Sequence, residues 1–310
     1  MGLSLYNFNG IKSIEAAVIQ ILEKKLQRYQ SLIDIWKFSW HLLWKRKSPV
    51  FGFAIVALLV LIALFAPYLA PYGVDDYVGK RMSSPSLDHL LGIDHLGRDL
   101  CSRLIYGSRI SMVIGIFAVG LALIVGTFLG IVAGFFGGHV DNIIMRAMDI
   151  MMALPYILLA ILISAVLGPS LENAILAIGV VRIPRFARLV RGSTIYVKEI
   201  QFVEASYSIG ASSFRIIRKD ILPNVIGPII VYATLSLGDT LLAAASLSFL
   251  GLGAQPPIPE WGAMLNEAQK FITIAPYLSI FPGLAIFLTV LGFNLLGDGL
   301  RDTLDPKSKR

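Results

Sequence analysis

Uncharged apolar runs set the organisation of this chain. Residues 50–70, 110–136, 150–171 and 271–297 each supply the roughly 20 apolar positions that a helix needs to cross a hydrocarbon core. Two more apolar stretches are interrupted, 173–190 by Arg182, Arg185 and Arg188 and 225–253 by Asp239, and both are read as spans, giving six. Before the first span the pattern changes: Ile11, Ile14, Val18, Ile21, Leu22, Leu26 and Tyr29 follow a helical period. Trp36, Trp40 and Trp44 continue it on one face beside Lys45-Arg46-Lys47, which predicts a helix lying in the cytoplasmic interface. Periodic hydrophobics with scattered charges do not make a cleavable leader, so the first span is expected to stay as an anchor.

Composition agrees with a membrane protein. The 310 residues are 56% apolar and 15% charged, with mean hydropathy +0.73, far from a soluble domain in which about a quarter of residues are charged. The net charge of +7 leaves too little polar surface for a nucleic-acid face, and one cysteine, Cys101, excludes an internal disulfide. Orientation follows from Lys and Arg, which collect on cytoplasmic flanks. With the N-terminus inside, 20 of the 27 fall on the cytoplasmic side, six lie outside, and Arg182 is within a span. Both termini are therefore expected to be cytoplasmic. The expected organisation is an interfacial segment 1–48, a first span 49–71, an extracytoplasmic segment 72–108, a core 109–300 and a tail 301–310.

Within the second span Ala118, Ala122, Gly126, Gly130 and Gly134 recur every fourth residue, a row of small side chains that admits a neighbouring helix closely. Arg182 and Asp239 lie about ten residues from the outer ends of their spans, so at similar depth. They are read as a buried pair or as pathway residues; the alternative is an arginine snorkelling to the cytoplasm and an aspartate solvated in a cleft. Arg146 and Asp149, three apart, read as a helix-surface pair.

Catalytic apparatus is missing from the sequence. The string from Gly73 to Gly79-Lys80-Arg81 has the wrong spacing for a phosphate loop, and His41, His89, His95 and His139 form no His-Glu-x-x-His site. His89 and His95 with Asp88, Asp94 and Asp99 have no metal-ligand spacing and read as loop residues.

The most informative stretch is polar and runs from residue 192 to 223. Glu204-Ala205-Ser206-Tyr207-Ser208-Ile209-Gly210 is followed, nine residues on, by Asp220-Ile221-Leu222-Pro223. The pattern predicts a short helix, a turn at Gly210, and a second short helix ending near Asp220, together a knob held off the membrane. Its small residues, with Ala211, suit a groove on a partner, and Arg215, Arg218 and Lys219 suit an acidic rim or lipid phosphate.

That stretch resembles the EAA loop of ABC importer permeases, with Ser206 and Asp220 as its departures. Leu91-Gly92-Ile93-Asp94-His95-Leu96-Gly97-Arg98-Asp99, then Ser102-Arg103-Leu104-Ile105-Tyr106-Gly107, resembles the C-type permeases of dipeptide and oligopeptide importers. Ala66-Pro67-Tyr68, Leu247-Ser248-Phe249-Leu250-Gly251, Gln255-Pro256-Pro257 and Gly299-Leu300-Arg301-Asp302 are similar to the same subfamily. The resemblance covers about residues 45–310. It implies an all-α, MetI-like five-helix core plus an anchor helix, in the inner membrane of a prokaryote. It also implies a non-catalytic subunit that carries no cofactor, with ATP and Mg on partner chains. The implied partners are a second permease, two ATP-binding cassette subunits, an extracytoplasmic binding protein and membrane lipid. Glu204, Ala205, Ser206, Gly210, Ala211 and Arg215 would then couple to the ATPase, and Arg182 and Asp239 are pathway candidates. Nickel or another metal chelate is the alternative cargo, and an ion-coupled secondary transporter using Asp239 and Arg182 is the alternative of another class.

Overall fold

The structure, a computed structural model, describes residues 47–304; the expected interfacial helix with its three tryptophans and the last six residues lie outside the described residues. The described chain is helical throughout apart from loops and one isolated bridge between Ile93 and Asp99. Helix α1 (Lys47–Leu64) is followed by a short turn of helix, α2 (Ala66–Leu69), and then by a loop-rich segment that leads to α3 (Leu100–Phe136). At 37 residues, or about 55 Å, α3 is far longer than a bilayer core is thick, so its first turns stand outside the apolar run. It begins there because Asp99 caps it, the carboxylate accepting from Ser102 N at 2.7 Å.

Next come α4 (Gly138–Met152) and α5 (Tyr156–Leu167), which meet at 86°. This corrects the expected continuous span over 150–171. Pro155 has no N–H to donate and disfavours helical backbone at Leu154, so the apolar run breaks, and the 12 residues of α5 rise only about 18 Å. α4 is fastened side-on to α6 (Leu171–Lys198) by two ion pairs. Asp141 accepts from Arg191 Nε at 2.5 Å, and Asp149 from Arg188 Nη2 at 2.6 Å. Asp149 therefore pairs across helices with Arg188, where an Arg146 partner on its own helix was expected.

The most extensive helix contact in the chain joins α3 to α6, and the small-residue row makes it. Ala118 and Ala122 are fully buried. A Cβ on Gly130 would stand 2.5 Å from Ala187 O and 2.7 Å from Val190 Cβ; on Gly134 it would stand 2.9 Å from Arg191 O. Successive positions of α3 meet successive positions of α6, so the two run parallel.

Among the described residues, four helical stretches are long and apolar enough to cross a membrane, or five if the bent α4–α5 pair is one span. α6 has the length at 28 residues and a buried inner face, but carries four arginines along it. It is followed by α7 (Gln201–Ser208), α8 (Ser213–Ile216) and one π turn (Ile217–Ile221), which runs without a break into α9 (Leu222–Phe249). The second short helix therefore does not stop near Asp220. Pro223 follows the π turn in this continuous stretch, so the helix runs on through it and the proline does not close the loop. A short α10 (Trp261–Ala268) and the long α11 (Tyr277–Leu304) complete the fold. α1 lies on α11 through two glycines, Gly52 against Leu295 and Gly292 against Ile55.

Candidate functional site: a mounted short helix, a buried ion cluster and charges at depth

At one end of the bundle, α7 is anchored and its outer surface is open. Val203 is fully buried in a cluster with Ile131, Val190, Val197, Ile216, Ile221 and Val225, which come from α3, α6, α8, the π turn and α9. Lys198 Nζ donates to Phe135 O at 2.7 Å and ties the end of α6 to the end of α3. Gly210 stops α7 at φ +75°, a backbone conformation that costs a side-chain-bearing residue about 1 kcal/mol or more. Its N–H donates to Tyr207 O, and Ala211 N donates to Ser206 O, so the last carbonyls are satisfied. Glu204, Ala205, Gly210 and Arg215 are exposed, with Ser206 and Ala211 half-buried. The sequence-predicted residues thus lie together on one small surface.

The sequence reading missed the apolar part of that surface. Phe202, Ile209 and Phe214 flank the predicted residues and are exposed, Ile209 by 80% and Phe214 by 72%. Large apolar side chains on either side of a turn glycine in a polar stretch were the available signal.

The opposite end is closed by buried charge. Arg98 Nε donates to Asp94 Oδ2 at 2.6 Å and its Nη2 to Glu267 Oε2 at 3.1 Å. Arg103 lies against the same two carboxylates at 3.7 and 3.8 Å and is 1% exposed. Asp75 accepts from Arg103 at 3.5 Å. Asp94 also accepts from the backbone N–H of Leu96 and Arg98, so one carboxylate holds the turn and both guanidinium groups. His89 meets Asp99 at 3.0 Å, while Asp88 stays exposed. The histidines and aspartates are loop residues, as expected, and Asp94 with Arg98 and Arg103 clamps the segment after α2 onto Glu267 of α10. Asp94, His95 and Glu267 bring possible ligand atoms within 4.8 Å of each other. Two arginines already neutralise both carboxylates, so the arrangement suits a structural clamp. On the same side Glu260, 2% exposed, caps α10 through Ala263 N at 2.8 Å. Burial pushes its carboxyl above the usual range.

The charges at depth do not form the expected pair. Among the described residues no ion pair joins Arg182 to Asp239: Arg182 is 4% exposed with its Nε unpartnered, and Asp239 is exposed on α9. Arg182 is buried on α6, so it does not snorkel into water. Its guanidinium carbon lies 5.7 Å from the Tyr156 ring, with that of Arg185 at 5.4 Å from the same ring.

A bundle of long apolar helices with an exposed short helix at one end and a clamped opposite end has the form of a membrane-embedded component. The chain belongs to the family of binding-protein-dependent transport system inner membrane components, whose model matches residues 126–310. A second model, the N-terminal transmembrane domain of oligopeptide transport permease C, matches residues 35–85. The glutathione transport system permease protein GsiD of Pectobacterium atrosepticum is 48% identical over 284 residues, 91% of this chain and 94% of that protein. The dipeptide transport system permease protein DppC of Alkalihalophilus pseudofirmus is 49% identical over 278 residues, 89% of this chain and 91% of that protein. In fold, the chain is similar to the inward-facing MetNI methionine ABC transporter, with TM-score 0.52 and 20% identity, over 66% of this chain and 98% of that one. It is thus an ABC importer permease subunit, a transport component and not an enzyme.

Proposed function

We propose that this subunit forms half of a translocation pathway for short peptides. The observation that carries this is near-half identity over about nine-tenths of the chain to permeases named for dipeptide and glutathione transport. Those names speak for peptide cargo over nickel or another metal chelate, and the family leaves no place for the ion-coupled reading. In the proposed assembly a second permease completes the pathway and two ATPase subunits bind ATP and Mg; this chain needs no cofactor of its own. α7 faces the cytoplasm and docks on an ATPase through Glu204, Ala205, Ser206, Gly210, Ala211 and Arg215, with Ile209 and Phe214 filling the partner's groove. The clamped α10 end faces outward, toward the binding protein, and both termini are cytoplasmic in a prokaryotic inner membrane. Arg182 and Asp239 belong to the pathway wall.

The test is to tag the chain, solubilise native membranes gently and identify what co-purifies, with a Glu204→Ala/Gly210→Val double variant beside it. Two ATPases and a second permease, lost in the variant, are expected. A chain that emerges alone and transports in vesicles without ATP would refute the reading.

A further inference from the structure

Asp239 is exposed near the middle of α9, ten residues or about 15 Å from the end of the helix at Phe249. α9 packs against α11, α3, α6 and α10 and still presents this face uncovered. A carboxylate at that depth is strongly disfavoured against lipid, so in the working transporter the face meets water or polar groups. On the neighbouring α6, Arg185 is exposed as well, 14 residues or about 21 Å from the helix start at Leu171. The buried Arg182 lies one turn before Phe186, whose ring meets Tyr232 of α9 edge-on with centroids 4.8 Å apart, and Ile183 and Phe186 pack in one cluster with Tyr232 and Leu237, so this stretch of α6 lies against the stretch of α9 that leads to Asp239. Tyr156 lies under both guanidinium groups. Five polar side chains from α5, α6 and α9 thus gather at depth. The two outward-facing charges are of opposite sign, and the buried third has an unpartnered Nε.

Opposite charges held apart and without a hydrogen-bonded partner among the described residues are complementary to a zwitterion. Peptides of varied sequence share one zwitterionic feature, the ammonium and carboxylate at their two ends. A pathway must also release what it binds, which single exposed contacts allow and a fully enclosed site does not. Resting on the peptide-importer reading above, we propose that Asp239 and Arg185 form a transient station for the main-chain ends of the cargo. Asp239 takes the ammonium and Arg185 the carboxylate. Arg182 is a positioning residue: it packs on Tyr156 with Arg185 and places a compensating charge near Asp239. The station reads no side chain and so leaves selection among peptides to the delivering protein.

The test uses the complete importer in proteoliposomes with its binding protein, supplied with an equimolar mixture of di- and tripeptides with free ends and read by mass spectrometry of the lumen. Asp239→Asn and Arg185→Gln should each lower uptake about tenfold, with Asp239→Glu largely restoring it, since truncating one partner of a charge contact weakens it at least that much. Assembly of the complex should be unchanged, since neither residue lies on α7 or in the clamp. In parallel, Asp239→Cys is made in a Cys101→Ser background and exposed to membrane-impermeant thiol reagents, with Leu58→Cys on the exposed face of α1 as the lipid-side control. Rapid labelling at 239, slowed by the peptide mixture, is expected. Labelling at 239 with unchanged uptake in Asp239→Asn and Arg185→Gln would overturn the station and leave the pathway standing. No labelling at 239 in the assembled importer, as in the control, would overturn the pathway assignment itself. A parent importer that accumulates none of the peptides would overturn the cargo reading on which both rest.

Discussion

Replacing Gly130 by alanine tests the seam between α3 and α6 directly. The added Cβ would stand 2.5 Å from Ala187 O, 2.7 Å from Val190 Cβ and 3.0 Å from Arg191 N. Carbon contacts are comfortable only at about 3.5–4.0 Å, and two of the three obstructing atoms are helix backbone that cannot turn aside. The helices must therefore separate by about 1 Å over this turn, an overpacking that costs about 1–3 kcal/mol. Alanine also favours helix over glycine by up to about 1 kcal/mol, which confounds a single measurement. Gly120, in the same helix, has nothing within 4 Å of its would-be Cβ. The propensity gain is common to Gly120→Ala and Gly130→Ala and cancels in their difference, which should be the overpacking alone. Gly134→Ala, whose nearest atoms are at 2.9 Å, should fall between the two. Thermal denaturation of the intact complex in detergent, followed by size-exclusion of the surviving assembly, gives the order. A difference of 1–3 kcal/mol corresponds to several degrees for a chain of this size. Equal midpoints for Gly120→Ala and Gly130→Ala would refute the close-packed seam.

Three other outcomes are expected. Gly210→Val should leave the bundle folded, because nothing lies within 4 Å of its would-be Cβ, yet reduce cargo-stimulated ATP turnover; Gly210→Asn, which tolerates positive φ, should retain it. Arg98→Met should lower stability by about 3–5 kcal/mol, as removal of one partner from a buried ion cluster does, read as a fall in denaturation midpoint that added salt does not reverse. Glu260→Gln should keep the cap on Ala263 N, and Glu260→Ala should lose about 1 kcal/mol. Because burial raises the Glu260 carboxyl, its protonated form is favoured in the folded chain. That contribution is full below the unfolded carboxylate range and disappears as pH rises through the raised folded value, so Glu260→Gln should gain on the parent with rising pH.

What the sequence could and could not express follows from the range of each interaction. Spans are written in single runs of apolar letters because the bilayer demands length, and the row from Ala118 to Gly134 is written as a period because neighbouring turns stack. The stop at Gly210 is equally local. The break at Pro155 was also local, but an apolar run on both sides hid it in the hydropathy pattern. The early start of α3 was hidden for the opposite reason: its first turns carry Arg103 and Arg109, which end an apolar run without ending a helix. Arg98 and Glu267 stand 169 positions apart, so no spacing rule links them, and the loop histidines and aspartates show their partners only in the tertiary structure. Counting residues puts Asp239 and Arg182 at similar distances from the ends of their helices. Counting does not give the rotation of α9, and that rotation exposes Asp239 instead of turning it onto Arg182.

The two ends of the bundle are fastened by different chemistry, and that difference predicts where it moves. At the α10 end the clamp consists of charges at 1–6% side-chain exposure for Arg98, Arg103 and Asp94, and any sliding must pass through states that leave a buried charge unpaired. At the α7 end Val203 sits among valine and isoleucine side chains, contacts without direction that can shift by a fraction of a residue and still exclude water. On the docking proposed for α7, a push there would meet less resistance where it arrives than at the far end, and α9, continuous from the π turn to Phe249, would tilt about the clamped end. Hydrogen exchange on the full importer, with and without nucleotide, reads this directly. Residues 201–216 should change protection on nucleotide binding, whereas 94–103 and 260–268 should not. If the clamp region changes as much as α7 does, the clamped end is no pivot, and the chemical asymmetry of the two ends has no mechanical consequence.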